Sequence, residues 1–506
     1  MRARAVEVAS VPTVLRTAEC VALVEAPPGS PPGRAWFAVG SARRVVSLVS
    51  VGLEGSAALE AFAALPSGAT GPAGRSPEPR DDVISAVSWD GSRIAAGRGC
   101  GVGLLRAEWS SEASRCSLVL DAWNPGAAES AIESVASFRD GGTFVACGDE
   151  GGGASLWAAP SPLVPAAAVP PGREGAAAWS LSARWKAHES LCGAMASALP
   201  TTGRGSLVTG GHDHAVRAWT SASPRSLSEP LSLTPAAGPA PSSGQMANPA
   251  FVNALSASAG SRLLLAAAGD GAAWLLSPGL LAAASGRRAP TGPRPVPIRV
   301  TGSASFRAPA AAAVPAGAGA SGVGGSKADG AGAAAAGVAD DEGWSLLGGG
   351  PGEAGAVGPA DSRGRLTAHT SPCVSAVAAC APGGPGGPPS VIVTAAMDGD
   401  AALWDSTEAE AWAVMDAEHE AACAAKASTP APGGRRAGKG KGRRGKRAAP
   451  AVGRPPALVR PARVSLLGRF AIGAPVNQVA AAPVPGGVVV VGACPDAKLR
   501  VLRFAW

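Results

Sequence analysis

The stretch LVTGGHDHAVRAWT at residues 207–220 sets His212, Asp213 and His214 side by side. A metal site, an acid–base cluster and a tight turn between two strands would each use these residue types. A second stretch, VIVTAAMDGDAALWD at residues 391–405, decides between them. Aligned on Thr209 and Thr394, both have an aspartate four residues on (Asp213, Asp398) and a tryptophan six further (Trp219, Trp404). Upstream of each lies an Ala-His pair, with His188 in KAHES and His369 in TAHTS, followed by an apolar run. His212 aligns with Met397 and His214 with Gly399, so neither belongs to the shared pattern and both read as incidental to the fold. The pattern reads as His, strand, Thr in a second strand, Asp in a turn, Trp in a third strand.

Five weaker copies share that outline, which gives seven units at about 20–50, 82–123, 133–186, 188–220, 251–285, 366–405 and 474–506. Each unit is a small antiparallel sheet that cannot bury both faces alone. Arranged radially, the sheets cover one another and leave only short edges. Small-residue strands such as VTGG and AAAG suit the crowded region near the axis. Buried His, Thr, Asp and Trp can satisfy one another by hydrogen bonds, which accounts for polar residues in otherwise apolar units.

This pattern resembles the WD-repeat β-propellers. The Trp-Asp pair stands at Trp404-Asp405, and the family's Gly-His position is represented by Ala187-His188 and Ala368-His369. The resemblance implies an all-β, seven-bladed propeller occupying the whole chain, with residues 11–18 supplying the outer strand of the last blade. The stretches DDVISAV (81–87), SLVTGGHDHAVRAW (206–219), GQMANPAF (244–251) and AHTSPCVSAV (368–377) resemble one subgroup of this family in order and setting. A basic tract between the Trp-Asp blade and a final VNQV blade strengthens that likeness.

Two insertions interrupt the repeats. Residues 286–364 lack the large apolar side chains needed to offset ordering entropy and are expected to be disordered. Residues 408–456 begin with an Ala-rich stretch, acids early and Lys426 late, expected to form a helix. They continue into GGRRAGKGKGRRGKR at 433–447, whose cations are Arg435, Arg436, Lys439, Lys441, Arg443, Arg444, Lys446 and Arg447. The formal charge of +7 resides in that tract, and the remainder of the 506 residues is near neutral. A nucleic-acid-binding domain would spread its cations over one face. The tract reads as a nuclear localisation signal, as a loose nucleic-acid contact without aromatic residues to stack bases, or as a solvated linker.

Other chemistry is poorly supported. Nine cysteines without a C-x-x-C pair fit neither a disulfide framework nor a zinc ribbon. His212 and His214 lack the further ligands that structural zinc takes, so no metal and no cofactor are expected. No G-x-S-x-G elbow is present, and GVGGSK (322–327) and GRRGKR (442–447) lack the Gly-Lys-Ser/Thr of a phosphate loop. No secretory signal or membrane-spanning stretch is read, so a cytoplasmic or nuclear protein is expected.

The residues therefore point to a non-enzymatic scaffold that binds other proteins through the propeller faces, as a monomer within a complex. The family resemblance implies, more narrowly, a substrate receptor docked on the adaptor of a cullin–RING ubiquitin ligase. Such docking commonly uses an arginine two residues after the Trp-Asp pair. Thr407 stands there, and Thr220 follows Trp219. The alternative is a chromatin- or RNA-associated factor that touches nucleic acid through the basic tract.

Overall fold

The computed structural model describes residues 4–12, 17–52, 56–66, 83–140, 142–160, 179–198, 206–220, 230–233, 249–257, 263–277, 293–301, 365–367, 369, 373–379, 390–428, 460–472, 474–496 and 498–505. Residues 303–358 separate as a unit of their own, outside the described residues. The described residues form seven sheets.

Strand β1 (Arg4–Pro12) belongs to the last sheet, and the first sheet follows it as β2 (Ala18–Val24), β3 (Arg34–Ser41), β4 (Val45–Gly52) and β5 (Ala57–Ala64). The second is β6 (Ile84–Trp89), β7 (Ile94–Arg98), β8 (Gly101–Ser110) and β9 (Arg115–Asn124). The third is β10 (Ile132–Arg139), β11 (Thr143–Asp149), β12 (Gly153–Ala158) and β13 (Ser180–Lys186). The fourth is β14 (Ala194–Ala198), β15 (Ser206–Gly210), β16 (Ala215–Thr220) and β17 (Leu231–Ser232).

The fifth sheet, β18 (Val252–Ala257), β19 (Leu264–Ala268) and β20 (Ala272–Ser277), takes its outer strand in two pieces, β21 (Arg294–Pro295) and β23 (Arg365–Thr367). Between them, β22 (Ile298–Thr301) crosses to the sixth sheet. That sheet is β24 (Cys373–Ala379), β25 (Val391–Ala396), β26 (Asp400–Asp405) and β27 (Ala462–Ala471), and β22 pairs parallel to β27 at its edge. Helix α1 (Thr407–Ser428) connects β26 to β27. The seventh sheet is β28 (Gln478–Val484), β29 (Gly487–Ala493) and β30 (Lys498–Ala505), completed by β1.

The innermost strands β2, β6, β10, β14, β18, β24 and β28 each touch the next, and β28 touches β2. The fold is thus a closed ring of seven blades. Its core is divided into seven apolar clusters, one at each seam between neighbouring blades. Both faces of each middle strand are therefore buried, as in β19 and β29, which explains their unbroken apolar runs. Inner strands are also stitched across the seams. The Ser134 hydroxyl donates to the Cys192 carbonyl at 2.8 Å, the Ser85 hydroxyl to that of Ile132, and the Cys20 thiol to that of Ile84 at 3.3 Å.

Two expectations are corrected. The closing strand is Arg4–Pro12, not residues 11–18. Proline lacks the N–H that a further ladder bond requires, and Ala18 already opens β2 with its N–H bonded to the Cys494 carbonyl at 3.3 Å. The insertion at 286–364 is also not uniformly loose. Residues 293–301 enter two sheets because Val296 and Ile298 are fully buried at the fifth–sixth seam. The remainder of that insertion, residues 429–456 and the basic tract at 433–447 lie outside the described residues.

Helix α1 also packs on that seam. Ala409, Trp412 and Ala413 are buried there, and Glu408 and Glu410 in its first turn face the positive end of the helix dipole. Asp416, 1% exposed, accepts hydrogen bonds from Arg294 at 2.6 Å and from the Ser277 hydroxyl at 3.2 Å. No described helix is long and apolar enough to cross a membrane.

Replacing residues 303–358 by a short Gly/Ser linker is expected to change unfolding free energy by less than about 2 kcal/mol, since loop length enters closure entropy only logarithmically. Denaturation of the shortened chain checks this. A loss of several kcal/mol would show that the unit contributes to the ring.

Candidate functional site

In an antiparallel blade the inner strand begins at the face where the second and third strands turn. That face, called the upper face, carries the starts of β2, β6, β10, β14, β18 and β28 and the turn Gly211–His214. Both sequence-predicted His–Thr–Asp–Trp sets lie just beneath it.

In the fourth blade the structure brings four of those residues into one chain of hydrogen bonds. The Trp219 indole N–H donates to Thr209 Oγ1 at 2.9 Å, and Thr209 lies 2.8 Å from His188 Nε2. His188 Nδ1 lies 2.8 Å from Asp213 Oδ1. Asp213 also accepts the N–H groups of Glu189 and Ala215, both at 3.3 Å, and the Arg217 guanidinium at 3.2 Å. Burial is the main force on His188 and lowers its pKa, opposed by Asp213. The imidazole is therefore neutral. Its Nδ1–H donates to the carboxylate, and Nε2 accepts the threonine hydroxyl. For Asp213, burial acts upward, but the His188 and Arg217 contacts outweigh it and the carboxyl is held low.

The sixth blade repeats the chain in part. His369 Nε2 lies 2.9 Å from Thr394 Oγ1, which accepts the Trp404 indole N–H at 3.2 Å. Asp398 closes the turn by accepting the Asp400 N–H at 2.9 Å, and its charge favours a protonated His369. Burial prevails and lowers the His369 pKa to about 4. The third blade solves the same problem with backbone. The Trp157 indole N–H donates to the Ala127 carbonyl at 2.8 Å, on which the Ser155 hydroxyl also converges.

Thr209, His188 and Asp213 have the connectivity of a nucleophile, a base and its orienting acid. They cannot serve as one where they lie. Thr209 is fully buried, and its oxygen is already occupied by the Trp219 N–H. No substrate carbonyl can approach it. The buried thiols offer no alternative, because desolvation pushes Cys147 and Cys192 up to about 12. Among the described residues no group of His, Cys, Asp and Glu could hold a metal ion.

These buried imidazoles make stability pH-dependent. A histidine whose folded pKa lies below its unfolded 6.5 contributes fully above that value, and its contribution fades as the pH falls toward the folded pKa. Asp213, held below its ordinary 3.8, adds a further loss only at stronger acidity. Denaturation midpoints are expected to be flat above about pH 7 and to fall between about pH 6.5 and 4, by about 3 kcal/mol for His369 alone. Unchanged midpoints over that interval would contradict the neutral assignment.

What faces solvent differs. A central channel of about 660 Å³ runs between the inner strands. The sequence reading missed its rim. Register shifts recur at one place in five inner strands, between Ala18/Cys20, Ile84/Ala86, Ile132/Ser134, Val252/Ala254 and Cys373/Ser375. The skipped residues Glu19, Ser85, Glu133 and Asn253 all line the channel, since a bulge re-aims its side chain. A polar residue directly after the first apolar residue of an inner strand is the signal that marks them. Among the described lining residues there are two carboxylates and no lysine or arginine.

No known family profile matches the chain, and no curated protein matches it. A solved structure described as the WD40 beta propeller domain of Doa1 is similar over 98% of this chain and 96% of that one, with a TM-score of 0.44 and 11% identity. This chain is a seven-bladed β-propeller. Its fourth and sixth blades each carry a His–Thr–Trp chain of hydrogen bonds.

Proposed function

We propose that the protein is a non-enzymatic scaffold that binds a partner protein on its upper face. The observation that carries this reading is a separation of chemistry by burial. The nucleophile and base positions of that connectivity, Thr209 and His188, are buried inside the blade, while the polar side chains re-aimed by the bulges surround an open channel mouth. Glu150 and Glu189 stand exposed on the connections above the third and fourth blades.

Affinity capture with the intact chain tests this. The double variant Glu150→Lys/Glu189→Lys is expected to lose captured proteins that the lower-face variant Glu25→Lys/Glu112→Lys retains. Equal capture by both would remove the upper face from consideration.

The finer reading is a substrate receptor of a cullin–RING ubiquitin ligase. It rests on the likeness of the short stretches, above all Asn-Pro-Ala at 248–250, to WD repeat-containing protein 53. One feature weighs against it. Thr407 occupies the position of the usual docking arginine and begins α1, with its hydroxyl and N–H both bonded to Asp405, at 2.7 and 3.0 Å. Co-purification of a cullin with the intact chain would support the receptor reading.

A further inference from the structure

His212 and His214, which the repeat alignment leaves without a role, meet on one ring. Phe251, just ahead of β18, lies 4.5 Å from His212 and 5.2 Å from His214 between ring centroids, with each pair within 13° of parallel. All three rings are half-buried, so this stack is a partly open aromatic surface on the upper face, at the seam between the fourth and fifth blades. It reaches the channel rim, because His212 Nε2 lies 3.4 Å from where a side chain on Gly193, a channel-lining residue, would begin. His214 holds φ at 63°, an unfavourable backbone for a residue with a Cβ, and its Nδ1 is buried without a hydrogen-bond partner.

The charges around the stack are mostly acidic. Asp213 lies between the two histidines in the turn, with neutral His188 beneath it. Glu189 is exposed on the preceding connection, Asp270 sits on the β19–β20 turn, and Glu133 lines the rim. The cation of the same strand, Arg217, is engaged by Asp213 at 3.2 Å.

The geometry points to a docking site for a basic peptide segment of the partner protein, with an arginine guanidinium stacked on the His212–Phe251–His214 platform. This rests on the scaffold reading above and names the partner's chemistry. A guanidinium is planar, weakly hydrated and always charged, so it stacks on ring faces better than an ammonium does. The acidic surroundings select the same charge. A nucleobase could also stack, but its phosphates would meet Glu133 and Glu189.

Binding should therefore weaken in acid. Burial, followed by the neighbouring His214, holds His212 below the ordinary imidazole range. His212 is thus neutral near pH 7 and gains repelling charge as the pH falls.

Fluorescence anisotropy of the intact chain with an Arg-Gly repeat peptide tests the site, against Lys-Gly and Glu-Gly repeats and a short single-stranded oligonucleotide. The Arg-Gly peptide is expected to bind tightest, with the Lys-Gly peptide weaker by about threefold. Phe251→Leu keeps an apolar side chain in place. It should weaken Arg-Gly binding by about fivefold or more while leaving the melting temperature unchanged. Wild-type binding should fall about tenfold on moving to about pH 5, and the His212→Gln variant should lose most of that dependence.

Tighter binding of the oligonucleotide, or binding unaffected by Phe251→Leu, overturns the proposal. If Phe251→Leu binds the peptide normally while Glu150→Lys/Glu189→Lys loses captured proteins, the platform is wrong and the scaffold reading stands. If no protein is captured by any version of the chain, the scaffold reading falls with it.

Discussion

A chain that lacks residues 1–12 is expected not to hold its seventh blade. Strand β1 is the outer strand of that blade and pairs with β30 at eight positions, from Arg4 opposite Ala505 to Pro12 opposite Lys498. Nothing else among the described residues covers that edge. At a net 0.5–1.5 kcal/mol for each ladder bond, its removal costs roughly 5 kcal/mol or more, comparable with the whole stability of many domains. The damage should spread, because the seventh blade contributes to two of the seven seam clusters. We expect the truncated chain to be insoluble, or to melt in a broad transition with early exchange of the β28–β30 amides. A sharp transition within a few degrees of the full chain would show that ring closure does not depend on β1.

His188→Ala should be the most damaging single change in the polar network. It opens a cavity at a side chain with no solvent exposure and breaks three groups apart. Thr209 loses its acceptor, and Asp213 keeps its charge without its closest neutral donor. Arg217 and two backbone N–H groups remain to Asp213, so it is not wholly orphaned. The cavity and the unpaired hydroxyl together put the loss at about 3–5 kcal/mol. Asp213→Asn leaves the core packing intact and keeps one acceptor oxygen for His188 and Ala215, but turns an NH2 toward the Glu189 N–H and Arg217; it should cost less, about 1–3 kcal/mol. Urea denaturation of both variants beside the wild type measures the difference. Equal, small losses would mean that packing alone holds the turn.

The ring was legible where sequence spacing is tied to buried chemistry. Thr209 and Trp219 must be ten residues apart because they are diagonal neighbours across one hairpin, two residues off direct register, and Thr394 and Trp404 repeat that requirement. Outer strands carry no such requirement. Strand β13 is exposed or half-exposed throughout, so little in its composition distinguishes it from a loop. The same weakness misplaced the closing strand at 11–18 and left β5, β17, β21, β22 and β27 outside the seven units. The bulged rim residues were missed because a one-residue register shift leaves the apolar pattern on either side intact. His212 and His214 appeared incidental because their partner, Phe251, lies in the next blade, and a repeat alignment compares blades rather than seams.

The split outer strand of the fifth blade has a consequence for how the halves of this chain belong together. A cut anywhere in residues 302–364 would yield two polypeptides, neither of which carries a complete set of blades. The first would supply β1 to the second's β30 and β22 to its β27, and the second would return β23 to the first's β20. Such fragments would be interlocked by mutual strand exchange at three separate edges. The chain is therefore suited to division into two co-expressed pieces, each needing the other to become a propeller.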